Sequence, residues 1–233
     1  MNEDSRLNEW FVPKFGSLRF RVFIGLLFLP YTGMCISFTI MGSMLSASIM
    51  WDRVVAITII YGLALGISAH AADGLGSKKV KPWGSYFTTN QLWLLLILGL
   101  AGAYSVGIYY LVFYVPMLSI LAVLEGFFVF AYNFELFKGT LHNDLVFVIS
   151  WGSLPLLAGY VMQTNQVGTL ALTISGVAAI VSYIHIRLSR PYKTLKRTGG
   201  NEPKVRGLES YLKIISLGTI STGLFAVLFR LLI

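Results

Sequence analysis

The stretch Leu145–Ile186 reads LVFVISWGSLPLLAGYVMQTNQVGTLALTISGVAAIVSYIHI and contains no Asp, Glu, Lys or Arg. About 20 helical residues cross the hydrocarbon core of a bilayer. The stretch is twice that length, and its one polar break is QTNQVG (Gln163–Gly168). It therefore reads as two membrane helices, over 145–162 and 168–187, joined by a short turn.

The same reading extends outward in both directions. Val22–Met50 is uncharged, with Pro30 and Gly33 placed to bend it, and predicts a first span over 22–50. Val54–Ala72 predicts a second over 54–72. Pro82–Leu124 is too long for one crossing and breaks at YYLVFYVP (Tyr109–Pro116), giving spans over 90–110 and 114–132. A seventh span covers 212–231, with Lys213 and Arg230 near its ends, where their long stems reach the interface. The expected fold class is an all-α polytopic membrane bundle of about seven transmembrane helices, with residues 1–233 forming one integral membrane domain.

Composition agrees with this reading. The chain is 56% hydrophobic and 12% charged, with a mean hydropathy of +0.73. A soluble domain carries about 25% charged residues. The N-terminus MNEDSRLNEWF is polar and of mixed charge, which predicts no signal peptide. One cysteine, Cys35, lies in the first span, so a disulfide framework is excluded.

The basic residues are distributed unevenly. Loops on one side of the predicted membrane carry sixteen Lys and Arg, against two on the other. Cytoplasmic loops carry the excess of Lys and Arg, so the N-terminus and the loops 73–89, 133–144 and 188–211 are expected in the cytoplasm. The expected location is the cell membrane. The net charge of +8 then reports orientation, and no recognition motif supports nucleic acid as a partner.

Polar residues gather at these cytoplasmic ends. His70 ends the second span, and Asp73 follows three residues later on the same helical face. His185 ends the sixth span. The connection AYNFELFKGTLHNDLVF supplies Tyr132, Asn133, Glu135, His142 and Asp144. Glu125 lies inside the fourth span, where a carboxylate is costly and by default faces a cavity or a partner.

Val146–Thr164 (VFVISWGSLPLLAGYVMQT) resembles the fifth helix of the UbiA-type intramembrane prenyltransferases, especially those acting on dihydroxynaphthoate. The segment AHAADGLGSKKVKPWG (Ala69–Gly84) is similar to the family's first motif, Asn-Asp-x-x-Asp followed by a basic run and a proline. The helix entry FTTNQLWLLL (Phe87–Leu96) also fits, and the resemblance spans about Arg21 to Arg197. It implies transfer of a prenyl group from a prenyl diphosphate to a lipid-soluble acceptor, with Mg²⁺ held by two aspartate-rich motifs. Carried over residue by residue, Ala69 stands for the Asn, His70 for the first Asp, and Asp73 keeps the second. The second motif falls on YIHIRLSRPYKTLKRTG (Tyr183–Gly199), which has no carboxylate. The family typically has nine spans, against seven here.

On this resemblance the catalytic candidates are Asp73 and His70, with Asp73 as the metal ligand. Lys78, Lys81, Arg187, Arg190 and Lys193 would contact phosphate. Glu125, Tyr132, Asn133 and Asp144 would line the cavity. The expected partner is a membrane lipid or isoprenoid. Two alternatives stand beside prenyl transfer. One is a non-catalytic lipid binder or accessory subunit of a membrane complex on the same scaffold. The other is a Zn²⁺ or Fe²⁺ site assembled from His70, Asp73, His142 and Asp144, with His185 or Glu135.

Overall fold

A computed structural model describes residues 7–77 and 86–233. Helices account for the regular structure among them, with no strand. In chain order they are α1 (Leu18–Leu26), α2 (Leu29–Met44), α3 (Trp51–Gly76), α4 (Thr89–Phe113), α5 (Leu118–Asn133), α6 (Asp144–Thr164), α7 (Thr169–Thr198) and α8 (Glu202–Leu232). Five of them, α3, α4, α6, α7 and α8, are long and apolar enough to cross a membrane. The bent pair α1–α2 makes a sixth if counted as one span, and α5 is a shorter apolar helix of 16 residues.

The exposed surface carries the signature of a lipid-facing bundle. Leu94, Ile97, Leu98 and Ile108 of α4 and Leu217, Leu224, Phe225 and Leu228 of α8 are each more than half exposed. Water does not tolerate apolar stripes of this extent on a monomer, whereas lipid tails do. The core is built where α2 packs against α6, α8 and α3, around Tyr31, Cys35, Ile57, Tyr61, Trp151 and Met162.

Several predicted boundaries are corrected. The first span does not run unbroken over 22–50. It bends by 44° at Leu27–Phe28, where Phe28 adopts a left-handed φ of 45°, and it ends at Met44. Pro30 sits in the first turn of α2, the place where its missing N–H costs least, so the break falls before the proline. The segment 188–211, expected as a loop, is mostly helical. Helix α7 runs through Pro191 to Thr198, Gly199 turns the chain at φ 65°, and Asn201 caps α8 by accepting from the Lys204 N–H at 3.1 Å. Within the two double-length runs the helices are interrupted at 114–117 and 165–168.

Two helices widen locally into π turns, at Ala64–Ala69 in α3 and Ile149–Ser153 in α6. The second precedes Pro155. A proline ring clashes with the carbonyl four residues back, here that of Trp151, and an expanded turn relieves that clash. In α3, Gly66 lies where any Cβ would come within 2.8 Å of the Thr32 methyl. The π turns therefore lead directly into His70 on one helix and contain Trp151 on the other.

Candidate functional site

His70 begins the last two turns of α3, and Thr32 faces it from α2. The Thr32 hydroxyl donates its one proton to the Leu27 carbonyl at 2.6 Å, filling an acceptor left open by the α1–α2 break. The His70 Nε2 lies 3.3 Å from the same hydroxyl oxygen, so Nε2 carries the proton and donates. The ring centroid lies 5.3 Å from that of Trp151 and 5.9 Å from that of Phe28. Tyr31, Phe147 and Trp151 complete an aromatic cluster, with Tyr31 edge-on to His185 at 4.4 Å.

Lys193, expected on phosphate, reaches into this cluster from α7. Its Nζ sits 4.3 Å from the centre of the Phe28 ring and 5.5 Å from that of Tyr31, in reach of a cation–π attraction. His185 is 2% exposed, and neither of its ring nitrogens has a hydrogen-bond partner among the described residues.

Asp144 opens α6, where the helix dipole favours a carboxylate. It pairs with Arg190 at 2.6 Å and Arg187 at 3.6 Å. The two arginines are i, i+3 on α7 and so share a face. Tyr132 brings the other candidates together: Asp73, Asp144 and Arg190 all lie close enough to its hydroxyl to act on it electrostatically. His142 stacks on the Tyr132 ring at 4.3 Å, with Nδ1 3.0 Å from the Tyr132 carbonyl. Asn133 differs from the expectation. Its amide donates back to the Val129 carbonyl at 2.8 Å, and its own carbonyl packs where Gly76 leaves room. Lys78 and Lys81 lie outside the described residues.

Glu125 is set apart from this polar end. It faces a cavity of about 280 Å³ between α3, α4 and α5, closed by Ala158 of α6. Tyr132, Asn133 and Asp144 do not line it. The Tyr61 hydroxyl donates to Glu125 Oε1 at 3.1 Å, and Oε2 is buried with no hydrogen-bond partner among the described residues. The structure thus separates one expected cavity into a packed polar end and an apolar pocket deeper in the bundle.

No group of three or more His, Cys, Asp or Glu side chains that could hold a metal ion is found among the described residues. His70, Asp73, His142 and Asp144 accordingly do not assemble into the Zn²⁺ or Fe²⁺ site considered from sequence. The magnesium implied by the family resemblance would have Asp73 at one matching position and no carboxylate from Tyr183–Gly199. Those donors do not fit a two-motif site.

Tyr61, Tyr31, Phe28, Trp151 and Thr32 were not marked by the sequence. Each sits in an apolar run, where an aromatic or a threonine reads as packing; the one available signal was the aromatic content of the predicted spans 22–50 and 145–162. Compared with known proteins, the chain matches no family model, no curated protein and no solved structure.

Proposed function

We propose that this chain is a multi-pass membrane protein on a UbiA-like scaffold that binds an isoprenoid or comparable membrane lipid without transferring it. The observation that carries the reading is the engagement of Asp144 with both Arg187 and Arg190. A prenyl diphosphate needs cations free to receive it. Here two of them are held by a carboxylate and a third, Lys193, lies on aromatic faces. The apolar pocket beside Glu125 is left as the place for a lipid. On this reading α1–α2 and α5 each cross the membrane, giving seven spans with the N-terminus in the cytoplasm. The residence is the cell membrane, and a membrane protein partner would complete the bundle.

Prenyl transfer is the second reading, favoured by Asp73. It keeps the position of a motif aspartate and lies close enough to Tyr132 to act on its hydroxyl. No step of it is routed through Mg²⁺, because the donor set does not fit.

The test is binding of geranylgeranyl diphosphate to the purified protein, with and without Mg²⁺, alongside mass analysis of lipid that co-purifies. A co-purifying isoprenoid or neutral lipid with weak, Mg²⁺-independent diphosphate binding supports the lipid binder. Tight Mg²⁺-dependent binding that Asp73→Asn abolishes overturns it in favour of prenyl transfer.

A further inference from the structure

The pocket at Glu125 has an unusual chemistry for its place. Its walls are almost wholly apolar, and its volume of about 280 Å³ lies near the lower end of ligand sites, roughly 300–1,000 Å³. Small residues make the space: Ala103 and Gly107 on α4, and Gly126 on α5. A Cβ on Gly126 would collide with the Tyr104 hydroxyl, so this glycine admits that side chain. The Tyr104 hydroxyl in turn donates its one proton to the Ala122 carbonyl at 3.1 Å and has none left for a ligand. Ile108 and Val123 line the pocket yet are largely exposed, so it opens sideways between α4 and α5 toward the lipid-facing surface.

One polar function remains unspent in the pocket. Glu125 Oε1 accepts from Tyr61, while Oε2 is buried and unpartnered among the described residues. A buried polar atom without a partner costs about 1–3 kcal/mol, and more for a charged group. The ligand that relieves this cost must bring a hydrogen-bonding head on an apolar body. Among the described residues no Lys, Arg or His lines the pocket, so a phosphate head would meet a carboxyl group with no cation to offset it. An ammonium head would bury a second ion, at a cost of several kcal/mol. A hydroxyl can donate to a carboxylate or accept from a carboxylic acid, and so fits either protonation state of Glu125.

We infer that the lateral pocket between α3, α4 and α5 binds a neutral lipid alcohol, whose hydroxyl pairs with Glu125 Oε2 and whose chain leaves between α4 and α5. The inference rests on the lipid-binding reading above and names its ligand class. It also separates this site from the polar end at Tyr132, which receives no part of the ligand.

Radiolabelled geranylgeraniol, the corresponding hydrocarbon and geranylgeranyl diphosphate serve as probes of the purified full chain in detergent. The alcohol is expected to bind about tenfold more tightly than the hydrocarbon, as one hydrogen bond in an apolar site implies. Glu125→Leu should remove that advantage, whereas Glu125→Gln, which still donates and accepts, should keep most of it. Gly107→Leu fills the pocket without touching Glu125. A Cβ there meets only Ile60 at 3.8 Å, so the fold should persist while all binding falls. Equal binding of alcohol and hydrocarbon, or tighter binding of the diphosphate, overturns the alcohol inference and leaves lipid binding standing. No binding of any probe, unchanged by Gly107→Leu, overturns both.

Discussion

Gly42 of α2 and Gly159 of α6 lie at a close backbone-to-backbone crossing of the two helices. A Cβ on Gly42 would fall on the Leu156 carbonyl oxygen, and one on Gly159 on the Thr39 carbonyl oxygen. Ser43 Oγ bridges the same contact by donating to the Gly159 carbonyl at 3.1 Å. Lipid offers no hydrophobic drive for helix association, so close backbone approach supplies the packing instead. Both obstacles are backbone atoms, which cannot swing aside. Gly42→Ala or Gly159→Ala is expected to cost about 1–3 kcal/mol or more, read as a lowered unfolding midpoint in detergent. Gly176→Ala on α7 meets nothing within 4 Å and should be neutral or mildly stabilising. Equal midpoints for Gly42→Ala and Gly176→Ala would refute the crossing as a packing determinant.

The far end of α6 is tied to the start of α3 by one amide. Gln163 Oε1 accepts from the Met50 N–H at 2.8 Å, and Gln163 Nε2 donates to the Met50 carbonyl at 3.2 Å. Arg53 Nη1 adds bonds to the carbonyls of Met162 and Gln163 at 3.1 and 3.3 Å. Together they satisfy the start of α3 and the end of α6. Gln163→Leu removes two bonds from a site that is 4% exposed. A loss of about 1–3 kcal/mol is expected, with Gln163→Glu in between because it keeps the acceptor alone. Thermal unfolding of the three proteins gives the order, and a Gln163→Leu protein as stable as the wild type would remove the role.

The helices and their breaks were largely readable from uncharged runs and from the polar step Gln163–Gly168. The extension of α7 and α8 was not, because Pro191 and the basic residues around it read as a loop. Pro191 instead lies within a helix that carries its cations beyond the apolar stretch. The pairing of Asp144 with Arg190 was also hidden, since the partners are far apart in sequence and meet only through packing. For Glu125 the sequence predicted a cavity or a partner without naming the partner. The partner is the hydroxyl of Tyr61, a residue whose surroundings are otherwise apolar.

The N-terminal segment is clamped by a buried acid. Tyr192 Oη donates to Glu9 Oε2 at 2.7 Å, and Lys196 Nζ donates to Tyr192 Oη at 2.7 Å while lying 3.6 Å from the same carboxylate. Glu209 on α8 closes the network through Lys196 at 3.5 Å and Lys213 at 2.7 Å. Tyr192 is 2% exposed, so its bond to a charged partner is worth about 1.5–3 kcal/mol. Tyr192→Phe should release the segment ahead of α1, raising tryptic cleavage after Lys14 by about tenfold or more. An unchanged cleavage rate would show that Trp10 and its neighbours hold the segment without the acid.

Orientation can be read with a single native thiol in the background. Cys35 is 1% exposed in the core and should not react with a membrane-impermeant maleimide. Thr140 and Gln166 are exposed and lie on opposite sides of α6. That helix has 21 residues, a rise of about 31 Å, which matches the hydrocarbon thickness. The proposed orientation, with the basic loops in the cytoplasm, predicts that in intact cells Gln166→Cys labels and Thr140→Cys labels only after permeabilisation. The reverse pattern would mean that the basic excess does not set the orientation here. Labelling of both before permeabilisation would mean that α6 does not cross, and the seven-span arrangement would fall with it.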